Sequence, residues 1–110
     1  MKDDTVYLRH MLDAINWIES YASGSSDDQF RQDHLVQDGV IRQISVLGEA
    51  ARQTSNDFQA SHTNVEWSKI IGMRNVLIHD YLGVDVDEVW RTVQHDLPML
   101  KEQLALLLQT

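Results

Sequence analysis

The sequence contains no cysteine, one proline and only five glycines in 110 residues. Without cysteine there can be no disulfide, thiolate metal site or cysteine nucleophile, and the chain suits a reducing cytoplasm, which is where we expect it to act. Basic residues are also scarce. Nine Lys and Arg stand against 17 Asp and Glu, for a formal net charge of −8. That balance argues against broad nonspecific affinity for nucleic acid, which relies on clustered cations. It leaves room for a small site in which a few convergent cations hold one phosphate, and it favours a basic partner protein. No apolar run approaches the ~20 residues needed to span a bilayer. The start, Met1-Lys2-Asp3-Asp4-Thr5, lacks the uninterrupted apolar core of a signal peptide. His10, His34, His62 and His95 are scattered without a His-x3-His or Glu-x2-His pair, so neither a metal site nor a cofactor is expected. There is no Gly-rich phosphate loop and no nucleophile elbow.

What remains is a chain of ordinary apolar content, 43%, with its apolar residues spaced by three and four. The length fits one helical domain over residues 1–110, small enough that a large oligomer interface would add to its stability. The spacing predicts four main helices and no sheet, arranged as an up-and-down bundle of four to five helices with short loops. The first helix is expected over Thr5–Ala22, with Leu8, Met11, Ile15, Ile18 and Ala22 as its core stripe. Ser23-Gly24-Ser25-Ser26 breaks it, and a short helical turn around Asp28–His34 follows. The second long helix, Asp33–Ser55, carries Val36, Val40, Ile44, Leu47 and Ala51 as a seam for a partner helix. Its Gly48 either permits close backbone approach or is a tolerated cost of ~1 kcal/mol.

Thr63-Asn64-Val65-Glu66 reads as a capping box opening a third helix that runs to Tyr81, and Gly83 ends it. Asp85-Val86-Asp87-Glu88 is a second possible box at the start of the fourth helix. Val86, Val89, Trp90, Val93, Leu97, Leu100, Leu104 and Leu107 line that helix's buried face. Pro98 must kink or restart it, with Asp96 as the new cap. Trp17, Trp67 and Trp90 fall at helical spacing and are expected in the core.

The third helix is unusual because its apolar residues lie nearly all round: Trp67, Ile70, Ile71, Met73, Val76, Leu77, Ile78 and Leu82. Such a helix is buried on more than one side. Either it is central in the bundle or, as we expect, it meets its own copy in a two-fold homodimer. At 100° per residue Ser68, Asn75 and His79 share one strip and Arg74 and Tyr81 another, roughly 100–140° away. Arg74 and His79 therefore do not converge on one ideal helix. Convergence requires that the helix end near His79 or that a second subunit complete the site.

The segment from Ile71 to Tyr81, with Arg74, four intervening residues, His79 and then Tyr81, resembles the Arg-x4-His-x-Tyr signature of HepT-like HEPN ribonucleases. Ile41-Arg42-Gln43 with Leu47-Gly48-Glu49-Ala50-Ala51, the run Trp67-x2-Ile70-Ile71-Gly72-Met73, and Val89-Trp90 with Asp96-Leu97-Pro98 resemble the same family on either side. The resemblance implies a helical dimer that cleaves RNA, tRNA or mRNA, without a metal, as the toxin of a type VII-like toxin–antitoxin system. It further implies a nucleotidyltransferase antitoxin of the MntA kind that transfers AMP to Tyr81, within a larger toxin–antitoxin complex or apart from one.

The residue chemistry fits that implication. Metal-free RNA cleavage needs a base for the 2'-hydroxyl proton, an acid for the leaving oxygen and a cation for the phosphate. His79 suits proton transfer near neutrality, and Arg74 suits the phosphate through its planar, permanently charged fork. Asn75 would orient His79 or the phosphate, and AMP on Tyr81 would block the cleft and offset Arg74. The blander alternatives are an ion pair of Arg74 with Glu49, a helix-end role for His79, a core role for Tyr81 and a solvated Arg42. The competing functions are a noncatalytic helical module binding nucleotide or a partner, which the acidic balance fits better, and a purely structural dimer subunit.

Overall fold

Asp3 fixes where the first helix starts: its carboxylate accepts the Thr5 N–H at 2.9 Å, and α1 runs over Asp4–Ala22. The computed structural model describes residues 3–79 and 83–109, with Ile78 and His79 as backbone only. The expected core stripe of α1, from Leu8 to Ala22, is buried throughout. Gly24, at φ +79°, turns the chain in the left-handed region that glycine alone enters at no steric cost. A capping box between Ser26 and Gln29 then opens α2, Asp27–Gln32. Asp33 accepts the Val36 N–H and caps α3, His34–Gln53.

Helix α3 buries Val40, Ile44, Leu47 and Ala51, while Val36 is half-buried at its end. Asp4, at the start of α1, accepts the N–H and hydroxyl of Ser55 at 2.7 and 2.8 Å, just past the end of α3. Tyr21, at the other end of α1, lies over Gly39 near the start of α3. The two helices therefore run antiparallel along their apolar stripes. Ser55 also caps a short helix that the apolar spacing does not reveal, α4 over Asn56–Ser61, by accepting the Phe58 N–H at 3.1 Å.

The third long helix differs from expectation at both ends. It begins at Trp67, after a turn in which the Val65 and Trp67 N–H groups donate to His62 and Val65 carbonyls, and not at a Thr63 box. This helix, α5, spans Trp67–Leu77 and does not continue to Tyr81. In a continuing helix the Leu77 carbonyl would accept from residue 81. Here it accepts the Asp85 N–H at 2.9 Å. The chain passes instead into β1, Ile78–His79, which pairs antiparallel with β2, Gly83–Val84, Ile78 facing Val84 and His79 facing Gly83. Gly83 sits at φ +84°. This two-residue ladder corrects the expectation of no sheet, but the fold remains all-α and HEPN-like.

Asp85 accepts the Glu88 N–H at 3.2 Å and opens α6, Val86–Arg91. Only half of the expected box forms, because the Glu88 carboxylate is taken by Arg91. That contact holds the Glu88 carboxyl below the usual carboxylate range. A π-helical turn, Thr92–Asp96, leads into α7, Leu97–Leu108. Pro98 lacks an N–H and would crowd the carbonyl four residues back. The chain absorbs this by widening the turn, with the Leu97 N–H donating to Thr92, so no restart occurs. Asp96 consequently makes no capping bond. Its carboxylate lies 3.6 Å from Lys69 of α5 and 3.7 Å from Arg91.

Val89, Val93, Leu97, Leu100 and Leu104 are buried along this composite helix, with Val86, Trp90 and Leu107 half-buried. The composite helix closes on α1 through α7 and on α2 through the Phe30–Trp90 ring contact at 4.8 Å.

Candidate functional site

Helix α5 turns Trp67, Ile70, Met73 and Leu77 into the core. Its last turn carries Arg74, Asn75 and Val76 at the surface, Val76 being 62% exposed, with Ile71 half-buried. The helix packs on α3 unusually closely. A Cβ on Gly48 would sit 3.2 Å from the Ile70 carbonyl oxygen and 3.4 Å from that of Ile71. Of the two sequence readings of Gly48, close backbone approach is therefore the one realised.

Beside this contact the two helices diverge into a groove of about 350 Å³. Ser45, Glu49 and Arg52 line it from α3, and Gly72, Arg74 and Asn75 from α5. A Cβ on Gly72 would meet nothing within 4 Å, so glycine leaves this wall open. Among the described residues Arg74 makes no ion pair. The Glu49 partner considered for it is engaged elsewhere: the Glu49 carboxylate accepts from Arg52 and, at 3.4 Å, from Gln53. The Arg52 contact first, then the Gln53 bond, holds the Glu49 carboxyl below its ordinary range.

The sequence-derived candidates separate as follows. Arg74 and Asn75 come together on one wall of the groove. His79 lies beyond the helix end, its backbone in β1 opposite Gly83. The strip geometry of an ideal helix therefore does not apply to it, because the helix stops at Leu77. Tyr81 lies outside the described residues. Arg42 is exposed on α3 but is not among the residues that line the groove.

Spacing alone did not single out Ser45 and Arg52. The available signal was Gly48 within an otherwise helix-favouring α3, marking where a second helix comes close and which α3 residues must flank it.

Among the described residues the remaining aromatic and titratable side chains lie elsewhere. Trp67 is buried and donates its Nε1–H to the His62 carbonyl at 3.0 Å. His62 stacks on Phe58 at 4.1 Å with Nδ1 2.9 Å from the Phe58 carbonyl. Trp17 corrects the expectation of three core tryptophans. It is 55% exposed and stacks on Tyr21 at 6.0 Å. It lies about 180° round the helix from Leu8 and about 100° from Ile18, outside the buried stripe. Among the described residues no group of three or more His, Asp and Glu side chains gathers as metal ligands would. Nor is any described helix long and apolar enough to cross a membrane.

Comparison with known proteins supplies the family. Residues 11–107 match the model of the family described as Ribonuclease HepT-like. A "Probable ribonuclease HepT" of Thermococcus cleftensis is 39% identical over 95 residues, covering 86% of each chain. A "Putative RNase" of Methanocaldococcus jannaschii is 30% identical over 106 residues, covering 96% of this chain and 97% of the relative. A second protein of that organism, named "Gamma-glutamylcyclotransferase and putative RNase", is 35% identical over 108 residues. This chain spans 98% of its own length but about half, 49%, of that relative. No solved structure matches the chain. With nearly its whole length matched, the chain belongs to the HepT-like ribonuclease family.

Proposed function

We propose that this chain is a metal-independent endoribonuclease, the toxin of a type VII-like toxin–antitoxin pair, acting through Arg74 and His79. The observation that carries the reading is the exposed guanidinium of Arg74 on the wall of the α3–α5 groove, with Asn75 beside it and no carboxylate among the described residues paired to it. An arginine so placed can donate two parallel hydrogen bonds to a phosphate. His79 takes the proton of the 2'-hydroxyl as that oxygen attacks the adjacent phosphorus. The bond from phosphorus to the 5'-oxygen breaks and the departing oxygen is protonated. The products are a 2',3'-cyclic phosphate and a 5'-hydroxyl. Asn75 positions the phosphate or the imidazole.

The second copy enters through α5. Val76, largely exposed, stands next to Arg74 and Asn75 on the same turn. A two-fold contact over this apolar spot brings two grooves together and supplies a second His79, so base and acid can come from different subunits. Control comes from a nucleotidyltransferase antitoxin of the MntA kind. The Tyr81 phenol oxygen attacks the α-phosphorus of ATP, pyrophosphate leaves and the phenolic proton is lost to solvent. The attached AMP puts a phosphate and a base where RNA must lie.

Incubation with the cognate transferase and ATP should add AMP to the wild-type chain, visible by intact mass, and abolish its cleavage of RNA. Tyr81→Phe should take up no AMP and keep cleaving. An adduct equally abundant on Tyr81→Phe rejects the site. The net charge of −8 favours a second reading, a noncatalytic helical module that binds nucleotide or a partner protein. That reading requires that the unmodified chain leave RNA intact in the same experiment.

A further inference from the structure

The α3 wall of the groove holds a second guanidinium. Arg52 lies on the exposed surface of α3, one helical turn from Glu49, and its side chain donates to the Glu49 carboxylate. Both residues line the groove that Arg74 and Asn75 line from α5. A carboxylate there opposes any phosphate that enters, and among charged side chains only a cation directly bonded to it cancels that field locally. The pair is thus silent while the groove is empty. It becomes a phosphate site when the guanidinium turns from the carboxylate to a stronger acceptor. Exposed ion pairs of this kind hold weakly enough to be exchanged.

We propose that Arg52 is a second phosphate-binding cation of the groove, masked by Glu49 until single-stranded RNA displaces the carboxylate. The inference rests on the ribonuclease reading and adds to it a substrate contact on α3. Arg74 would hold the phosphate at the cleaved bond and Arg52 a neighbouring one. The strand would then cross the groove from α5 to α3, over the open wall at Gly72. Glu49, left behind, sets a threshold against other anions.

The test is binding of a fluorescent, fully 2'-O-methylated RNA oligonucleotide, which cannot be cleaved, to the full-length protein over a series of salt concentrations. Arg52→Gln should weaken binding severalfold and lower the slope of log affinity against log salt by about 0.7, the value for one lost contact to a single strand. Glu49→Gln should instead tighten binding. Opposite signs follow from the two charge changes alone, so the signature is the charge-neutral double variant Arg52→Gln/Glu49→Gln: it should keep the reduced salt slope, whereas a pair that acts only through net charge would leave its slope at the wild-type value. Unchanged affinity and slope in Arg52→Gln, with Arg74→Gln still weakening binding, overturns the proposal and leaves the ribonuclease reading standing. If Arg74→Gln is also without effect, the RNA groove itself falls and the proposal with it.

Discussion

Arg74→Ala is expected to lower the single-turnover rate of RNA cleavage by roughly 10²–10³-fold, the usual cost of removing one group that stabilises charge developing in the transition state. His79→Ala is expected to cost roughly 10²–10⁴-fold, the range for a lost proton-transfer group. The two effects should be far from additive, because residues that act on one phosphate as a unit fail together. Arg74→Lys should recover only a small part. A lysine retains the charge but not the planar fork that grips two phosphate oxygens. Arg74 is exposed and makes no ion pair among the described residues, so its removal should leave the thermal midpoint within experimental scatter. Loss of activity with an unchanged melting profile separates a catalytic from a structural arginine. If expression remains equally toxic in Arg74→Ala and His79→Ala, the assignment fails.

Phe30→Ala is expected to have the largest effect on stability, about 3–5 kcal/mol. The ring is fully buried and packs at a 36° tilt against Trp90, centroids 4.8 Å apart, and it is the buried side chain that ties the short α2 to α6. A six-residue helix has no independent stability and depends on that anchor. Small domains hold only about 5–15 kcal/mol in total. The variant should therefore unfold at markedly lower urea concentration with little change in slope. The exposed ion pair of Arg31 with Asp87 at 2.8 Å spans the same two helices but should not compensate, because it is wet and screened. A denaturation midpoint unchanged in Phe30→Ala would contradict the packing described for this end of the molecule.

The sequence is most readable where one physical rule acts alone. The stripes of α1, α3 and the composite α6–α7 are long enough for the helical period to dominate, and their residues are buried where the spacing puts them, save Val36, Val86, Trp90 and Leu107, which are half-buried. The rule fails where a second force competes. Helix α4 is only one and a half turns with a single large apolar residue, Phe58, so its start is set by Ser55 and not by periodicity. The end of α5 is set by a contact across sequence, the Asp85 N–H on the Leu77 carbonyl, which no local pattern contains. Pro98 disturbs the helix, but the chain answers with a π turn and not a new cap, which leaves Asp96 to Lys69 and Arg91.

At the groove, the spacing of Arg74 and His79 gave candidates but not their surroundings. The all-round apolar pattern of α5 is explained in part by Gly48, which seats the Ile70–Ile71 backbone directly against α3. What it leaves over, chiefly the exposed Val76, is the face proposed for contact with a second copy. Arg52 was invisible to spacing because it becomes a groove residue only once two helices are packed side by side.

The most direct measurement is to incubate the purified protein with RNA in the presence of a chelator and map the new ends. Cleavage that persists under chelation and leaves 2',3'-cyclic phosphate and 5'-hydroxyl ends is the expected result. A strict requirement for added Mg²⁺, or 5'-phosphate ends, would contradict attack by the internal hydroxyl and with it the roles given to Arg74 and His79.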